Sequence, residues 1–356
     1  MSCCEKLVLE PKGDVDRALA DAGVGRRTVL KGVAGIAGGL ALAGTGAPRA
    51  SAQAGSVKLA FCGQLLCVVP YEVTRAAGLF DEAGLDLELV YTRGGNAAMQ
   101  ALVGGAVDYA GTSFDVALQA FAQGADVRRF ASTGRLPLFA LAVGPGAASE
   151  IGELGDLEDR TVGISGLGNA DHTLLLYLLE KAGADASTIE FAQMGPNLFD
   201  ALRVGHVDAG MVQEPALTLL IGEGGKVLVN LMEIEDANAY LGGPYAFMGV
   251  TVRGAEREQR LDEMRRLARA LEQGLQRLRE MPVGEIVDAL PSELVAGGDR
   301  AQLEGILERY RASLYPTSVA IDVESARRVA ESQRVAGILD PAVDVDGVLD
   351  VTVVEG

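Results

Sequence analysis

Apolar, β-branched runs alternate with amphipathic stretches over residues 57–214. The first half predicts four strands with helices between them: strands over 57–63, 85–91, 107–113 and 126–133, and helices over 69–84, 96–105 and 114–124. The second half repeats this order: strands over 160–166, 188–195 and 207–214, and helices over 170–183 and 197–205. Strands that alternate with helices of about 10–15 residues indicate right-handed βαβ units and a parallel sheet. The pattern therefore predicts an α/β protein of two lobes, each a mostly parallel sheet flanked by helices.

One phrase occurs in both halves, one hundred residues apart. The sequences "ALVGGAVD" and "ALRVGHVD" start at positions 101 and 201. Each copy predicts the last turn of a helix, a glycine that ends it, and the entry to a strand. Gly105 and Gly205 can take the left-handed conformation at that point. Asp108 and Asp208 then lie at strand entrances, opposite the edge where such sheets bind ligands, and we expect both to make structural hydrogen bonds.

Two extended apolar stretches, over 136–145 and 242–252, do not lead directly into helices. Each is predicted to be a crossover strand between the lobes. From residue 256 the chain is charged and helical, with one apolar face predicted to pack on the first lobe: Leu261, Met264, Leu267, Leu271, Leu275 and Leu278. This divides the chain into a leader over 1–54, a first lobe of 55–140 plus 247–356, and a second lobe of 141–246.

The leader has the composition of an export signal. The pair Arg26–Arg27 precedes a Gly- and Ala-rich apolar run, and "ASAQA" places small residues where signal peptidase cleaves. The arginine pair resembles a twin-arginine (Tat) signal. The run is shorter than the roughly 20 residues that a membrane span requires, and no cysteine comes directly after it to carry a lipid anchor. We therefore expect a soluble, periplasmic mature protein.

The net charge of the chain indicates which classes of partner are unfavourable. The chain has 31 Lys and Arg against 49 Asp and Glu, a net charge of -18, which argues against nucleic acid and anionic membrane surfaces as partners. We expect a monomer. Beyond the leader only Cys62 and Cys67 remain, and they can be buried free thiols, a local disulfide, or a site of metal or thiol chemistry. Since no further Cys or His cluster accompanies them, we expect no metal and no cofactor.

Ligands of open α/β sheets bind beyond the carboxyl ends of the strands. Small and hydroxyl residues at these ends leave helix N–H groups free for a polar or anionic group. The predicted ligand-binding residues of the first lobe are Gln64, Gly94, Gly95, Asn96, Ser113 and Thr133. Those of the second lobe are Gly168, Asn169, His172, Asn197 and Glu214. No catalytic residue is predicted.

Several of these residues also fit a purely structural role. Asn96 and Ser113 are suitable helix N-caps, and His172 is equally suited to an ordinary surface position. Glu214 either binds a ligand amine or begins a helix, where the dipole favours a carboxylate. The nature of the ligand is open for the same reason: Arg93 and the helix N-termini favour an anion, whereas Glu214 favours an amine-bearing solute.

Four phrases in order resemble one family: "AAGLFDEAGLDLELV" (76–90), "ALVGGAVDYAGTS" (101–113), "AL..GHVDAG..QEP" (201–215) and "VAGILDPAVDVDGVLD" (335–350). The sequence is similar to the periplasmic solute-binding proteins of ABC importers, in the group that includes nitrate, sulfonate, taurine and thiamine-pyrimidine-precursor binders. The resemblance implies the two-lobed type II fold, with hinge closure on a small solute.

The same resemblance implies a non-enzymatic receptor that delivers a sulfonate-like or other small organic anion to an ABC permease and its ATPase. An alternative is a receptor for a pyrimidine, thiamine-precursor-like or amine-bearing solute. A third reading is a pyrimidine-biosynthetic enzyme on the same scaffold, since relatives of the group carry out such chemistry.

Overall fold

A computed structural model of the protein describes residues 56–295 and 299–355. The predicted leader, with its arginine pair, lies outside these described residues. No helix in the described ranges is long and apolar enough to cross a bilayer.

The chain alternates strands and helices up to residue 253 and is helical beyond it. The strands are β1 (Val57–Cys62), β2 (Leu87–Thr92), β3 (Tyr109–Ser113), β4 (Val127–Ser132), β5 (Ala140–Val143), β6 (Thr161–Ile164), β7 (Glu190–Gln193), β8 (Ala209–Val212), β9 (Lys226–Asn230) and β10 (Met248–Arg253). The α-helices of four or more residues up to β10 are α1 (Leu65–Ala76), α2 (Leu79–Glu82), α3 (Gly95–Val103), α4 (Phe114–Ala122), α5 (Ala170–Ala182), α6 (Leu198–Arg203) and α7 (Ala216–Gly222). Those after it are α8 (Leu261–Glu280), α9 (Val283–Ala289), α10 (Ser292–Val295), α11 (Arg300–Leu314), α12 (Val323–Val335) and α13 (Thr352–Glu355).

Two five-stranded sheets form the framework. The first has the order β2-β1-β3-β10-β4 and the second β7-β6-β8-β5-β9. In each sheet four strands run in one direction, and the fifth, β10 or β5, is inserted antiparallel between two of them. The predicted α/β fold with two sheets flanked by helices is confirmed, although the inserted strand makes both sheets mixed.

The two predicted crossover stretches supply these inserted strands. The first leaves β4 of one sheet and becomes β5 of the other, and the second returns from β9 to become β10. The crossovers also bond to each other, because Tyr245 N–H donates to Arg135 O (2.8 Å) and Phe247 N–H donates to Gly134 O (3.1 Å). The chain therefore passes between the sheets as a hydrogen-bonded pair of segments.

The repeated phrase has the same structure in both sheets. Gly105 and Gly205 have φ of 76° and 75°, in the left-handed region, and each ends a helix. Asp108 Oδ2 accepts the N–H of Lys58 at 2.8 Å, and Asp208 Oδ2 accepts the N–H of Thr161 at 2.9 Å. Both aspartates thus bond the backbone at the start of the neighbouring strand. Their predicted structural role is confirmed.

Helix α1 begins four residues earlier than predicted. It contains Pro70, whose missing N–H leaves the Leu66 carbonyl without its partner in the helix. The buried hydroxyl of Tyr315, far along the chain, donates to Leu66 O at 2.8 Å instead. A tertiary contact therefore satisfies the helix at the position where the local signal favours a break. The predicted single helix over 69–84 is also divided, because Gly78 adopts a φ of 72° between α1 and α2.

The C-terminal helices contact both halves of the molecule. Helix α8 buries its predicted apolar face against α1 and α2, and Leu261 alone of that face is partly exposed. Helix α12, by contrast, packs on both α4 and α5. Helix α11 reaches the second sheet, where Asn230 Nδ2 donates to the hydroxyl of Tyr310 at 2.9 Å. Packing of this region is therefore not restricted to the first sheet.

Candidate functional site

A cleft lies where the carboxyl ends of strands from both sheets meet. Its volume is about 110 Å³. The predicted residues that line it are Gln64, Gly94, Gly95, Ser113 and Asn169. It is also lined by Cys62, Cys67, Arg93, Thr112, Val116, Phe139, Ser165, Ala170, Asp171, Gly195, Pro196, Gln213, Phe247 and Met248. Ligand pockets commonly measure about 300–1,000 Å³, so a solute of more than a few heavy atoms requires the sheets to move apart.

The first sheet presents positive potential to this cleft. Helices α1 and α3 both begin there, after Gln64 and Gly94, without a side-chain cap and without an acidic residue in the first turn. Their first N–H groups and the positive end of each helix dipole are available to a ligand. Arg93 is exposed beside them and makes no ion pair or side-chain hydrogen bond with any residue in the described part of the chain. This side of the cleft favours an anion.

Ser113 is buried at the start of α4, where its Oγ accepts the N–H of Val116 at 3.4 Å. Ser113 is therefore the N-cap of α4, which is one of the two roles predicted for it. Its hydroxyl proton remains a possible donor toward the cleft, because capping uses only an oxygen lone pair. Capping and ligand binding are compatible at this residue.

The second sheet presents a satisfied polar cluster. Asp171, in the first turn of α5, accepts both the N–H (2.5 Å) and the hydroxyl (2.7 Å) of Ser165. Asn169 Nδ2 in turn donates to Ser165 Oγ at 2.9 Å. Burial raises the pKa of the Asp171 carboxyl. Because this carboxylate lies at the start of α5, it offsets the dipole there, and the two walls of the cleft differ in polarity.

One direct hydrogen bond joins the two walls. Asn96, in the first turn of α3, donates from Nδ2 to Oδ1 of Asn169, the residue that precedes α5. The two asparagines were both predicted at strand exits, and the structure brings them together although they are far apart in sequence. Their contact lies at the rim of the cleft, so separation of the lobes must break it.

Comparison with known proteins identifies the family. A family model described as NMT1/THI5 like matches residues 68–285, more than half of the chain. The chain belongs to the NMT1/THI5-like family. No curated protein sequence matches it.

Solved structures show the same fold. A protein from Bordetella bronchiseptica RB50 is 23% identical, with a TM-score of 0.74 over 84% of this chain and 93% of its own. The ligand-binding component of an ABC-type import system from Staphylococcus aureus, with zinc bound, is 16% identical, with a TM-score of 0.67 over 84% and 98%. The alkanesulfonate-binding protein SsuA from Xanthomonas axonopodis pv. citri, bound to MOPS, is 19% identical, with a TM-score of 0.65 over 83% and 98%. The predicted periplasmic-binding-protein fold is confirmed.

Two thiols line the cleft of this NMT1/THI5-like chain. Cys62 ends β1 and Cys67 lies in the first turn of α1, and both are buried and free. A hydrogen bond between the two thiols lowers the pKa of Cys62 and raises the pKa of Cys67. This arrangement agrees with the first of the three interpretations of the pair. Over residues 56–295 and 299–355, no group of three or more His, Cys, Asp and Glu side chains is arranged to hold a metal ion.

Several predicted residues lie outside the cleft lining. Thr133 is fully buried and shares a hydrogen bond of 3.2 Å with the hydroxyl of Tyr71. The ring of His172 is half-buried, and its Nδ1 accepts the N–H of Gly168 at 3.2 Å. Asn197 is exposed. None of these three side chains lines the cleft as the structure describes it.

Glu214 also lies elsewhere, in a separate groove. Its carboxylate accepts the N–H (3.0 Å) and the hydroxyl (2.9 Å) of Thr218 within the first turn of α7. Burial raises its pKa. These contacts correspond to the helix-start alternative rather than to a ligand contact. The signal in the sequence is the threonine four residues later, which supplies two donors to one carboxylate.

The aromatic floor of the cleft was not predicted from the sequence. Phe139 and Phe247 come from the two crossovers, and their rings meet edge to face at 5.8 Å. Each phenylalanine follows a proline by two or three residues in its crossover stretch. Since both crossovers must pass beneath a cleft between the sheets, that shared pattern is the signal that identifies them.

A buried polar network supports α4 below this floor. Tyr245, on the second crossover, donates its hydroxyl to Asp115 Oδ1 at 2.7 Å. Gln333 of α12 donates from Nε2 to the Asp115 backbone carbonyl at 3.1 Å. Burial raises the pKa of the Asp115 carboxyl to about 6. The network thus ties the helix that carries Ser113 to a crossover and to the C-terminal region.

Proposed function

We propose that this chain is an extracytoplasmic substrate-binding protein. It captures a small organic anion, sulfonate-like in its head group, between the two lobes and delivers it to an ABC permease with its ATPase. It acts without catalysis, as a monomer, after export by the twin-arginine route and removal of residues 1–54. The lobes are residues 55–140 with 247–356, and residues 141–246.

The observation that carries this proposal is the positive wall of the cleft. Arg93 and the open N-termini of α1 and α3 converge on one volume, and the described side chains give Arg93 no carboxylate partner. A guanidinium with adjacent N–H groups is a strong recognition set for a tetrahedral oxyanion. The likeness in fold to an alkanesulfonate-binding protein supports the same class of solute.

Calorimetry with ethanesulfonate and its neutral analogue ethanesulfonamide tests the proposal. We expect the sulfonate to bind and the sulfonamide to bind far more weakly. Arg93→Gln removes a charged hydrogen bond of about 1.5–3 kcal/mol, so the Kd for ethanesulfonate should rise by about 10- to 150-fold.

Arg269→Gln is the matched control, because Arg269 is exposed on α8 and does not line the cleft. It should leave the Kd unchanged. Absence of sulfonate binding by the unmodified chain, or equal effects of the two substitutions, contradicts the proposal.

The aromatic floor favours a second candidate, a receptor for a pyrimidine-type ring. Phe139 and Phe247 offer apolar faces on which a flat heterocycle can pack. An aminopyrimidine that binds more tightly than ethanesulfonate, and whose affinity falls with Phe247→Ala but not with Arg93→Gln, would favour this candidate over the anion receptor.

A further inference from the structure

A second groove opens beside the cleft, between α3 and α4. We call it the amide groove and define it by Gln100, Val103, Gln119, Gln123, Leu167 and Gly168. Its volume is about 770 Å³, several times that of the cleft. Leu167 and Gly168 belong to the loop before α5, so the groove is lined from both lobes, as the cleft is.

The groove and the cleft are adjacent. Val116 lines both of them. Asn96 lines the groove, and its hydrogen-bond partner Asn169 lines the cleft. This pair of asparagine side chains separates the two volumes. When the lobes part and the pair breaks, a solute in the cleft can extend directly into the groove.

The residues that line the groove are uncharged, unlike much of this chain. Among the described residues that line it none is charged, although 22% of the whole sequence is Asp, Glu, Lys or Arg. Four of them are amides, namely Asn96, Gln100, Gln119 and Gln123, and all of the others are apolar or glycine. Amide side chains both donate and accept hydrogen bonds, so they complement an uncharged amide group better than an ion.

One of these amides has a buried nitrogen without a hydrogen-bond partner in the described part of the chain. Gln119 Nε2 is buried, and no acceptor is within hydrogen-bonding distance in the described part of the chain. An unpaired buried donor is unfavourable, and a carbonyl oxygen placed beside it removes that cost. Gly168 lies over this side chain, since a Cβ at Gly168 would be 3.8 Å from Gln119 Oε1. The absence of a side chain at residue 168 leaves the space beside Gln119 Oε1 open.

We propose that the amide groove binds the uncharged, amide-bearing tail of a solute whose anionic head group lies in the cleft. The inference rests on the proposed function and specifies its solute class as an acylamino-substituted organic anion. The Gln119 amide turns its Nε2 toward the groove, where the tail carbonyl accepts its hydrogen bond, and the acyl carbons contact Val103 and Leu167.

Three probes with the same sulfonate head test the inference by calorimetry. Ethanesulfonate has no tail, 2-acetamidoethanesulfonate has an amide tail, and pentanesulfonate has an apolar tail of similar length. We expect the acetamido probe to bind about 3- to 10-fold more tightly than either of the others, as one neutral hydrogen bond predicts.

Two variants locate the tail. Gln119→Leu keeps the size of the side chain and should abolish the preference for the acetamido probe over pentanesulfonate. Ala120 also lines the groove, so Ala120→Phe fills it and should weaken both tailed probes while leaving ethanesulfonate unchanged. Ala312→Phe, at an exposed position of α11, is the control for the added ring and should change none of the three affinities. Thermal unfolding of each variant identifies any that fails to fold. If Ala120→Phe fails to fold, Gln119→Leu still tests the assignment.

The outcomes separate this inference from the proposed function. If ethanesulfonate binds but the acetamido probe shows no preference, the groove assignment is wrong and the anion receptor stands. The assignment is also wrong if the preference persists in both variants. If none of the three sulfonates binds, the proposed function fails and the inference fails with it.

Discussion

Replacement of Asp115 by asparagine should stabilise this protein at neutral pH. Asp115 is completely buried, and two acceptor oxygens in its network, its own Oδ2 and Gln333 Oε1, have no hydrogen-bond partner in the described part of the chain. An asparagine amide brings two N–H donors to this region and carries no charge. The hydroxyl of Tyr245 can still donate to the remaining side-chain oxygen.

The size of the effect follows from the pKa. Burial raises the pKa of Asp115 from 3.8 to about 6, so the folded state holds a proton that the unfolded state has already released. A group with a raised pKa contributes its full stability below pH 3.8 and loses it as the pH rises through 6. At 1.36 kcal/mol per unit, ionisation costs at most about 3 kcal/mol at pH 7 and above. Asp115→Asn should recover much of this cost.

Urea unfolding followed by far-ultraviolet circular dichroism, at intervals from pH 4 to pH 8, measures the effect. The variant should exceed the parent by about 1–3 kcal/mol in unfolding free energy at pH 7.5, and the difference should shrink toward pH 4. Asp126→Asn is the control, because Asp126 is exposed, and it should give a small difference at every pH. A variant that is less stable than the parent at pH 7.5, or a difference independent of pH, would refute this account of Asp115.

Three further predictions concern other parts of the chain. Tyr315→Phe leaves the Leu66 carbonyl buried without a donor and should lower the unfolding free energy by about 1–3 kcal/mol in the same assay; a loss under 0.5 kcal/mol would contradict the role of this hydroxyl. Asp108→Asn and Asp208→Asn should each lower the melting temperature while leaving the calorimetric Kd for ethanesulfonate within about twofold, and the opposite result would place the site at the other edge of the sheets. Replacement of Arg26–Arg27 by two lysines should block export in a cell-fractionation assay, and undiminished export would show that the leader is not a twin-arginine signal.

The hydrophobic pattern predicted most of the strands and helices, because strands such as β1, β3 and β8 are buried on both faces and form largely apolar runs. It predicted nothing over residues 215–241, where the structure has α7 and β9. These elements have seven and five residues, and Leu219, Ile221 and Val227 on them are exposed, so their apolar and polar positions do not alternate regularly. Short elements at the edge of a sheet therefore escape an analysis of hydrophobic spacing.

The sequence predicted correctly those cleft residues whose place depends only on the position of the backbone. The strand-exit rule located Gln64, Gly95 and Asn169 at the cleft, because parallel strands end at a common edge. Side-chain direction is not encoded in that rule, so Thr133 and Glu214 turn instead toward Tyr71 and Thr218. Local hydrogen-bond partners of each candidate have to be known before its role can be assigned.

The inserted strands determine the order in which the two sheets can be completed during synthesis of the chain. All strands of the second sheet have been made once Asn230 leaves the ribosome, since β5 to β9 are consecutive. The first sheet must wait for β10, and until then β3 and β4 have unpaired backbone edges separated by a missing strand. In most multidomain chains the N-terminal unit folds first. Here the sheet that is begun first is finished last, and its open strand edges are exposed to pairing with other chains during that interval.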